Sequence, residues 1–353
     1  MHVEDLKNEV EWENFQRNSP DGSFYHSLIW RKVIQKTFSY DAIYLTVKDE
    51  SGRTVGAFPG FILNAMNVRF LDSIPHSDYG GPVIADDCIQ QASLSLRDSL
   101  RTICLRKKIA YARFRFMEKR RTRRFFRHAL GHVEKPVGIM EVDLKATSSD
   151  LLWGKAFSRN LRKKIRLIEK SGIYAREAHT RSDLKEFYNL YYKDMRQIGV
   201  SPYPYKFLES IWSILYPEKV RIWLLEKNEA IAGQLYFKDG QKSYAYLAGL
   251  DRKRNVHEAI NYLRWQEIRK AEEERYRCVS FGSTPSDPKH LHHVQKKRVG
   301  GTFHGQERVW YPMTSTACIL LQTRALGITA WKSVGGLLPT GLKSVLEGAL
   351  SIF

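Results

Sequence analysis

The sequence predicts an α+β protein with mixed, largely antiparallel sheets. Residues 220–250 contain three runs of branched and aromatic side chains, which predict strands at 221–225, 230–237 and 243–250. The second connection is Asp239-Gly240, a dipeptide typical of tight hairpins. The three runs therefore predict an antiparallel meander, and we use it as the reference for the rest of the chain.

A second hairpin in the first half of the chain resembles the first two runs of this meander. Residues 43–63 read as strand, turn and return strand, with Gly56 at the position of Gly233. A repeat at half the chain length suggests two similar domains, since solenoid repeats span only about 20–50 residues. The alternative is that any two amphipathic hairpins look alike.

Helical and strand patterns fill both halves in a similar order. We predict the following elements: helices at 4–18, 27–34, 89–108, 151–171, 183–196, 207–215 and 258–274, and further strands at 110–116, 137–144, 278–281 and 307–311. This order favours helices packed on a mixed sheet. Polar residues at 147–150 mark the expected junction, which gives domains at 1–148 and 149–312 and a helical tail at 313–353.

Composition suggests an intracellular protein with a substantial core. Hydrophobic residues make up 43% of the 353 residues, and the four cysteines form no C-x-x-C pair. Such cysteines are typical of buried thiols in a reducing compartment. The first ten residues are too polar for a signal peptide, and no run approaches the roughly 20 apolar residues of a membrane span. We expect a cytoplasmic protein, or one bound peripherally at the inner face of the membrane.

The net charge of +19 favours an anionic partner such as nucleic acid, acidic lipid or a phosphate-rich substrate. Residues 120–127 place five arginines around Phe125 and Phe126, a mixture found in nucleic-acid-binding proteins. The same pattern fits a helix with two buried phenylalanines and solvated arginines.

Seven segments give the chain a family resemblance when they are taken in order. They are F-Y-H-S-L-I-W (24–30), P-H-S-D-Y-G-G-P (75–82), S-R-N-L-R-K-K-I-R (158–166), M-R-Q-I-G-V-S-P-Y-P (195–204), N-Y-L-R-W-Q-E-I-R (261–269), V-S-F-G-S (279–283) and Q-K-K-R-V-G (295–300). In this order the chain resembles the Fem aminoacyltransferases (FemAB- and FemX-like) and their acetyltransferase relatives. That resemblance implies two tandem GNAT-like (acyl-CoA N-acyltransferase) domains.

The sequence departs from the family pattern in two places. The last segment has Gln295-Lys296 and Val299-Gly300 where the family has Phe-Lys and Trp-Gly, so the lysine is present and the aromatics are not. The coiled-coil arm of some members is also absent, which makes tRNA engagement through such an arm unexpected.

The resemblance implies a site in a cleft lined by residues 75–82, 158–166 and 289–300. Lys296 is expected to polarise the reacting group or bind phosphate, because a long ammonium can reach a diphosphate or an oxyanion. Asp78 is expected to position the acceptor amine or act as a base. The implied substrate-binding residues are Tyr79, Gly80, Gly81, Trp30, Arg159, Asn160, Arg162, Lys163, Tyr203, Gly282, Ser283 and Lys297.

The implied reaction joins an activated acyl group to an amine and needs no covalent nucleophile. We expect no bound cofactor and no metal, since His290, His292 and His293 have the spacing of a solvated loop. The donor stays open between aminoacyl-tRNA and acyl-CoA. The motif that presents backbone N–H groups to the pyrophosphate of acetyl-CoA is missing, and residues 324–329 come nearest to it.

The sequence therefore predicts an N-acyltransferase or aminoacyltransferase acting on a cell-envelope, peptidoglycan-type or polysaccharide precursor. Its acceptor would carry phosphate or be lipid-linked. Two alternatives stay open: a catalytically inactive GNAT pair that serves as a scaffold, and an RNA- or nucleic-acid-binding protein.

The tail predicts a peripheral contact through residues 316–353. Leu342, Val345, Leu346, Ala349 and Leu350 form one apolar stripe on a short helix, which must cover something to be stable. We expect it to dock on a membrane surface or on an envelope-assembly partner. Docking on the second domain of the same chain is the alternative.

Overall fold

The computed structural model describes residues 1–65, 68–127, 131–254, 256–314 and 317. These form two compact units: residues 1–31, 39–135 and those described from 306 onward, and residues 32–38 and 136–305. Nearly all of the predicted tail, and with it the predicted membrane contact through residues 316–353, lies outside the described residues. In the part of the chain that is described, no helix is long and apolar enough to cross a membrane.

The first unit is one sheet with three helices. Its elements are β1 (His2–Asp5), β2 (Asp41–Lys48), β3 (Thr54–Ala65), β4 (Val68–Asp72), β5 (Val83–Ile84), β6 (Tyr111–Met117), β7 (His132–Glu134), α1 (Glu9–Asn18), the first residues of α2 (Leu28–Phe38) and α3 (Ile89–Arg106). The strand order is β1-β2-β3-β4-β6 and then the last residues of β14 (Thr302–Pro312), while β5 pairs with β3 and β7 with β14. All neighbours are antiparallel except β4 and β6, which are parallel.

The second unit repeats this plan. Its elements are β8 (Val137–Asp143), α4 (Ser149–Leu151) continued by a π-helical turn (Leu152–Ala156), α5 (Arg159–Lys170), β9 (Tyr174–Glu177), α6 (Arg181–Gln197), α7 (Tyr205–Leu215), β10 (Val220–Lys227), β11 (Glu229–Lys238), β12 (Lys242–Leu250), α8 (Ala259–Glu273), β13 (Cys278–Pro285) and α9 (Leu291–Lys297). The order is β9-β10-β11-β12-β13-β8 followed by the first residues of β14, and only β12 and β13 are parallel.

The two sheets share one topology: four antiparallel strands, a fifth parallel to the fourth, and a sixth antiparallel to the fifth. The hairpins predicted at 43–63 and 221–237 are the second and third strands of their sheets. The predicted α+β fold with a duplicated sheet is thereby confirmed.

The last strand of the first sequence half, and the later residues of the last strand of the second half, pair in the sheet of the other half. Strand β8, which we expected to close the first domain, pairs with β13 in the second unit. Residues 306–312 of β14 pair with β6 in the first unit. The compact units therefore differ from the predicted domains 1–148 and 149–312, because strand pairing and not sequence position assigns these strands.

Two local predictions need correction, and two short elements were not predicted. Residues 2–5 form β1 and not the start of a helix, because they pair with β2 in antiparallel register. The helix expected at 151–171 is interrupted at Phe157, and Ser158 starts α5 by accepting the N–H of Leu161 at 3.2 Å. Strand β9 and helix α9 were not predicted, since both are short and polar.

The second unit packs helices on both faces of its sheet. Leu161, Ile165 and Ile168 of α5 are buried, as their spacing predicts, in a core shared with α8. Helix α6 approaches the strands at two glycines. A Cβ on Gly233 would lie 2.6 Å from the Phe187 ring, and one on Gly249 would lie 2.4 Å from the backbone nitrogen of Tyr191. Glycine at 233 thus permits the close approach that the sequence suggested.

We predict that Gly249→Ala lowers the free energy of unfolding by about 1–3 kcal/mol, the usual cost of overpacking. The added methyl would meet the backbone of α6, which cannot move aside as a flexible side chain can. Chemical denaturation measures the change. Gly154→Ala is the matched control, because nothing lies within 4 Å of its Cβ position and its loss should be smaller. Equal stability of G249A and wild type would contradict the close packing of α6 on β12.

Candidate functional site

The Asp78-Tyr79-Gly80-Gly81 segment of the first unit is held by its backbone. Gln306 Nε2 donates to the carbonyl of Asp78 at 2.7 Å, and the N–H of Gly81 donates to Ser73 Oγ at 2.8 Å. A Cβ on Gly80 would lie 2.3 Å from the Ser73 carbonyl oxygen, and Gly81 has a φ of +82°. Both glycines are therefore required by the loop itself.

A buried ion cluster anchors the start of this loop. Asp72 is fully buried and pairs with Arg113 and with Arg115, whose Nη1 lies 2.9 Å from Asp72 Oδ1. The same Nη1 donates to the carbonyl of Ile74 at 2.8 Å. Burial by itself would raise the pKa of Asp72, but the two guanidinium groups outweigh it and hold that pKa at about 2.

Two predicted substrate-binding residues of this unit are largely internal. The Tyr79 ring stacks on Tyr25 with ring centres 6.0 Å apart, and Trp30 packs edge-to-face on Tyr25 at 5.5 Å. Trp30 has no exposed surface and Tyr79 is 8% exposed. Both rings therefore form part of the packing beside residues 78–81. Substrate contact by either ring stays a prediction.

In the second unit, the parallel strands β12 and β13 separate soon after they meet. Their pairing joins Lys242–Tyr244 to Cys278–Ser280, and beyond these residues both strands continue without further register between them. Next to this gap, β13 has a bulge against β8 between Ser280 and Ser283, and Gly282 has a φ of +70°. The bulge locally disrupts the strand pairing of β13. The carbonyl groups of Gly282 and Ser283 point toward α9.

The Lys296 ammonium is seated on this bulge. Its Nζ donates to the carbonyl of Ser283 at 2.6 Å, to Thr284 Oγ1 at 3.0 Å and to the carbonyl of Gly282 at 3.4 Å. The residue is only 7% exposed. The structure thus brings together three residues that the sequence analysis named: Lys296, Gly282 and Ser283.

Helix α5 carries the predicted basic face, and its members differ in exposure. Arg159, Asn160 and Lys163 are exposed, as is Lys297 on α9. Arg162 instead donates through Nη1 to the carbonyls of Trp153 and Gly154, both at 2.8 Å. Arg162 therefore fastens the π-helical turn to α5.

Glu258, which the sequence analysis missed, connects three helices at this corner of the unit. It precedes α8 in a left-handed conformation with a φ of +68°. Its Oε1 lies 2.9 Å from Arg298 Nη1, just after α9, and 3.8 Å from Lys164 Nζ on α5. The predicted segments 158–166 and 289–300 are therefore joined through one carboxylate.

The loop that leads from β12 into α8 ends at a helix N-terminus, the kind of position at which backbone N–H groups can bind phosphate. It runs through residues 251–258, of which all but 255 are described, and has no glycine. The Glu258 carboxylate at the start of the helix is paired with Arg298 and Lys164. The loop therefore lacks the glycine backbone that would bring open N–H donors close to a phosphate.

The remaining predicted residues have local roles. Tyr203 packs on Phe207 with ring centres 4.7 Å apart, and its N–H donates to Tyr191 Oη at 3.0 Å. His290 caps α9 by accepting the N–H of His292 at 3.2 Å, and His293 Nδ1 lies 2.9 Å from the Pro285 carbonyl. Among the described residues no cluster of three or more His, Cys, Asp or Glu could hold a metal ion.

Comparison with known proteins agrees with the topology. Residues 155–290 match the family model described as an acetyltransferase (GNAT) domain. A search of curated proteins gave no match. Among solved structures, FemX is similar at 16% identity with a TM-score of 0.68, over 87% of this chain and 97% of that one.

Two further structures are similar over most of the chain. One is a tandem GNAT protein from the clavulanic acid biosynthesis pathway, at 9% identity and a TM-score of 0.59, over 89% of this chain and 98% of that one. The other is L-PGS from Bacillus licheniformis, at 12% identity and a TM-score of 0.54, over 93% and 99%. The fold is that of tandem GNAT proteins, and the matched domain supports an acyltransferase of the GNAT type.

We predict that stability declines in acid partly through Asp72. Its folded pKa of about 2 lies below the usual value near 3.9, so its contribution is complete above pH 4 and is lost as the pH falls toward 2. Asp72→Asn should remove about 2 kcal/mol at pH 7 and flatten the decline between pH 4 and 2. Urea unfolding at several pH values measures both effects.

The exposed Asp98 provides a control, since Asp98→Asn should leave the pH profile unchanged. A D72N protein whose stability falls as steeply with acid as the wild type would remove Asp72 as the source.

Proposed function

We propose that the protein is an N-acyltransferase that joins an activated acyl or aminoacyl group to an amine on a phosphate-bearing cell-envelope, peptidoglycan-type or polysaccharide precursor. The observation that carries the proposal is the Lys296 ammonium on the β13 bulge, beside the gap between β12 and β13. This gap lies in the unit that contains the match to a GNAT acetyltransferase domain.

The proposed step needs no covalent enzyme intermediate. The acceptor amine attacks the carbonyl carbon of the donor, and the resulting oxyanion collapses as the ester or thioester bond breaks. One proton passes from the amine nitrogen to the leaving oxygen or sulfur. An ammonium near the gap stabilises the oxyanion, or an acceptor phosphate, more strongly than it would in bulk water. Asp78 as the residue that positions the amine stays a prediction.

The exposed cations supply the affinity for phosphate. Arg159 and Lys163 on α5 and Lys297 on α9 lie on the two segments that Glu258 connects through Lys164 and Arg298. Such a surface draws an anionic acceptor toward the gap. A lipid-linked acceptor, reached by a peripherally bound cytoplasmic enzyme, is consistent with this surface and remains part of the proposal.

We propose a donor other than a CoA thioester. Glu258 places a carboxylate at the N-terminus of α8, and the N–H of Ala259 already donates to Val256 at 3.3 Å. A CoA pyrophosphate would find fewer open backbone donors there, in a loop without glycine. An aminoacyl ester such as aminoacyl-tRNA avoids this conflict.

We expect Lys296→Ala to reduce the rate of acyl transfer by about 100-fold or more, a typical loss for one oxyanion-stabilising group. Mass spectrometry of metabolites captured by the purified protein first identifies the acceptor, and its acylation is then followed. Thermal unfolding controls for folding. Lys227→Ala, an exposed lysine on β10, is the matched control and should retain the wild-type rate. An unchanged rate for K296A would remove Lys296 from the mechanism.

We expect acetyl-CoA neither to bind measurably by calorimetry nor to serve as donor with the captured acceptor. Aminoacyl-tRNA in the same assay should give the acylated product. The physical reason is the shortage of open backbone donors at the N-terminus of α8, where the N–H of Ala259 is already engaged. Tight binding of CoA would overturn the choice of donor.

A further inference from the structure

Arg264, on the second turn of α8, is a buried cation whose hydrogen bonds are incomplete. It is 5% exposed. Its Nη1 donates to Asn261 Oδ1 at 2.7 Å, and its guanidinium lies 5.6 Å from the centre of the Phe281 ring. Its Nε is shielded from solvent and has no hydrogen-bond partner among the described residues. An unsatisfied buried donor on a charged group is costly.

Other buried arginines of this protein are neutralised by carboxylates. Arg221 pairs with Glu177, Glu267 and Glu274, and Arg115 pairs with Asp72. Among the described residues, Arg264 donates to a neutral amide, that of Asn261. Burial lowers the pKa of Arg264 to about 10, against the opposing influence of Tyr236 and Glu258. The cation at this position is thus less well compensated than its counterparts.

The carboxylate of Glu258, which acts electrostatically on Arg264, is already engaged by other groups. Glu258 receives Nδ2 of Asn261 at 2.6 Å and pairs with Arg298 and Lys164. Asn261 accordingly stands between the two charges: it donates to Glu258 and accepts from Arg264. The Glu258 carboxylate is engaged by these partners and accepts no hydrogen bond from the Nε of Arg264.

Further cations face the same space. Arg264 contacts Phe281, and Lys296 contacts the next three residues of β13. On α9, burial and then the positive charges of Lys296, His290, Arg264 and Arg252 lower the pKa of His292. Positive groups from two helices therefore converge where β12 and β13 have separated.

We infer that Arg264 is a substrate-binding residue that receives a carboxylate or phosphate group in the gap between β12 and β13. The planar guanidinium can present two parallel N–H donors to two oxygens of one anion. Lys296 adds positive potential from α9. The inference rests on the proposed function only in taking this gap as the substrate site, and anion binding can be measured without any acyl transfer.

The test is the anion response of the full chain and of Arg264→Met. Melting temperatures are measured at constant ionic strength in chloride and with added phosphate, pyrophosphate or malonate. We expect the R264M protein to melt at a higher temperature than the wild type in chloride, because an unsatisfied buried charge is removed. We also expect it to lose the stabilisation by anions that the wild type shows. A response to phosphate and pyrophosphate identifies a phosphate ligand, and a response to malonate identifies a carboxylate.

Arg269→Met is the matched control, since Arg269 is exposed on the same helix and shares only the general effect of anions on stability. Arg264→Lys keeps the charge but loses the fork, so its affinity should fall by about 10- to 100-fold. An R264M protein that melts below the wild type in chloride and keeps its anion response would overturn the inference, as would a wild type that responds no more than R264M. Anion binding by a protein that transfers no acyl group would overturn the proposed function and leave this inference intact.

Discussion

One pair of adjacent parallel strands sets the architecture of each unit. Parallel neighbours require a crossover, and here α3 and α8 make the crossovers from β4 to β6 and from β12 to β13. In both pairs the register covers only three residues. Strand β4 ends there at Asp72, whereas β12 and β13 both continue and separate toward their carboxyl ends. In the second unit, Lys296 and Arg264 lie against the part of β13 that has separated from β12. A sheet of uniformly antiparallel strands would offer no such opening.

The two units differ in the segment that follows the fourth strand of each sheet. In the first, the segment after β4 folds back beside β6, and Arg115 bonds the carbonyls of Ser73 and Ile74 while Gly81 packs on the Arg115 backbone. In the second, the corresponding segment leads directly into α8, and the opening is bordered by Lys296 and Arg264. In the first unit the space is closed by its own loop, and in the second the opening between β12 and β13 is lined with cations. The proposed chemistry is assigned to the second unit for this reason.

The candidate site was predictable only in part. The resemblance selected Lys296, Gly282 and Ser283, because all three lie in short segments that match the family pattern. In the structure the Lys296 ammonium donates to the carbonyls of the other two. Arg162 was also predicted to bind substrate through its positive charge, yet it donates to backbone carbonyls of the same chain. A pattern of basic residues cannot distinguish a cation that faces a ligand from one that fastens a turn. Glu258 had no sequence signal, since its role depends on a left-handed backbone and on partners from two other helices.

The sequence by itself determined the meander, the repeated hairpins and the inward face of α5, because alternation, turn residues and helical spacing act within a few residues. The tertiary structure decided which sheet receives β8 and the end of β14, and it decided that residues 2–5 form a strand at the edge of β2. It also decided that Arg264 donates to a neutral amide where Arg221 pairs with three carboxylates. These outcomes depend on pairing and burial between residues far apart in the chain, for which local patterns carry no information.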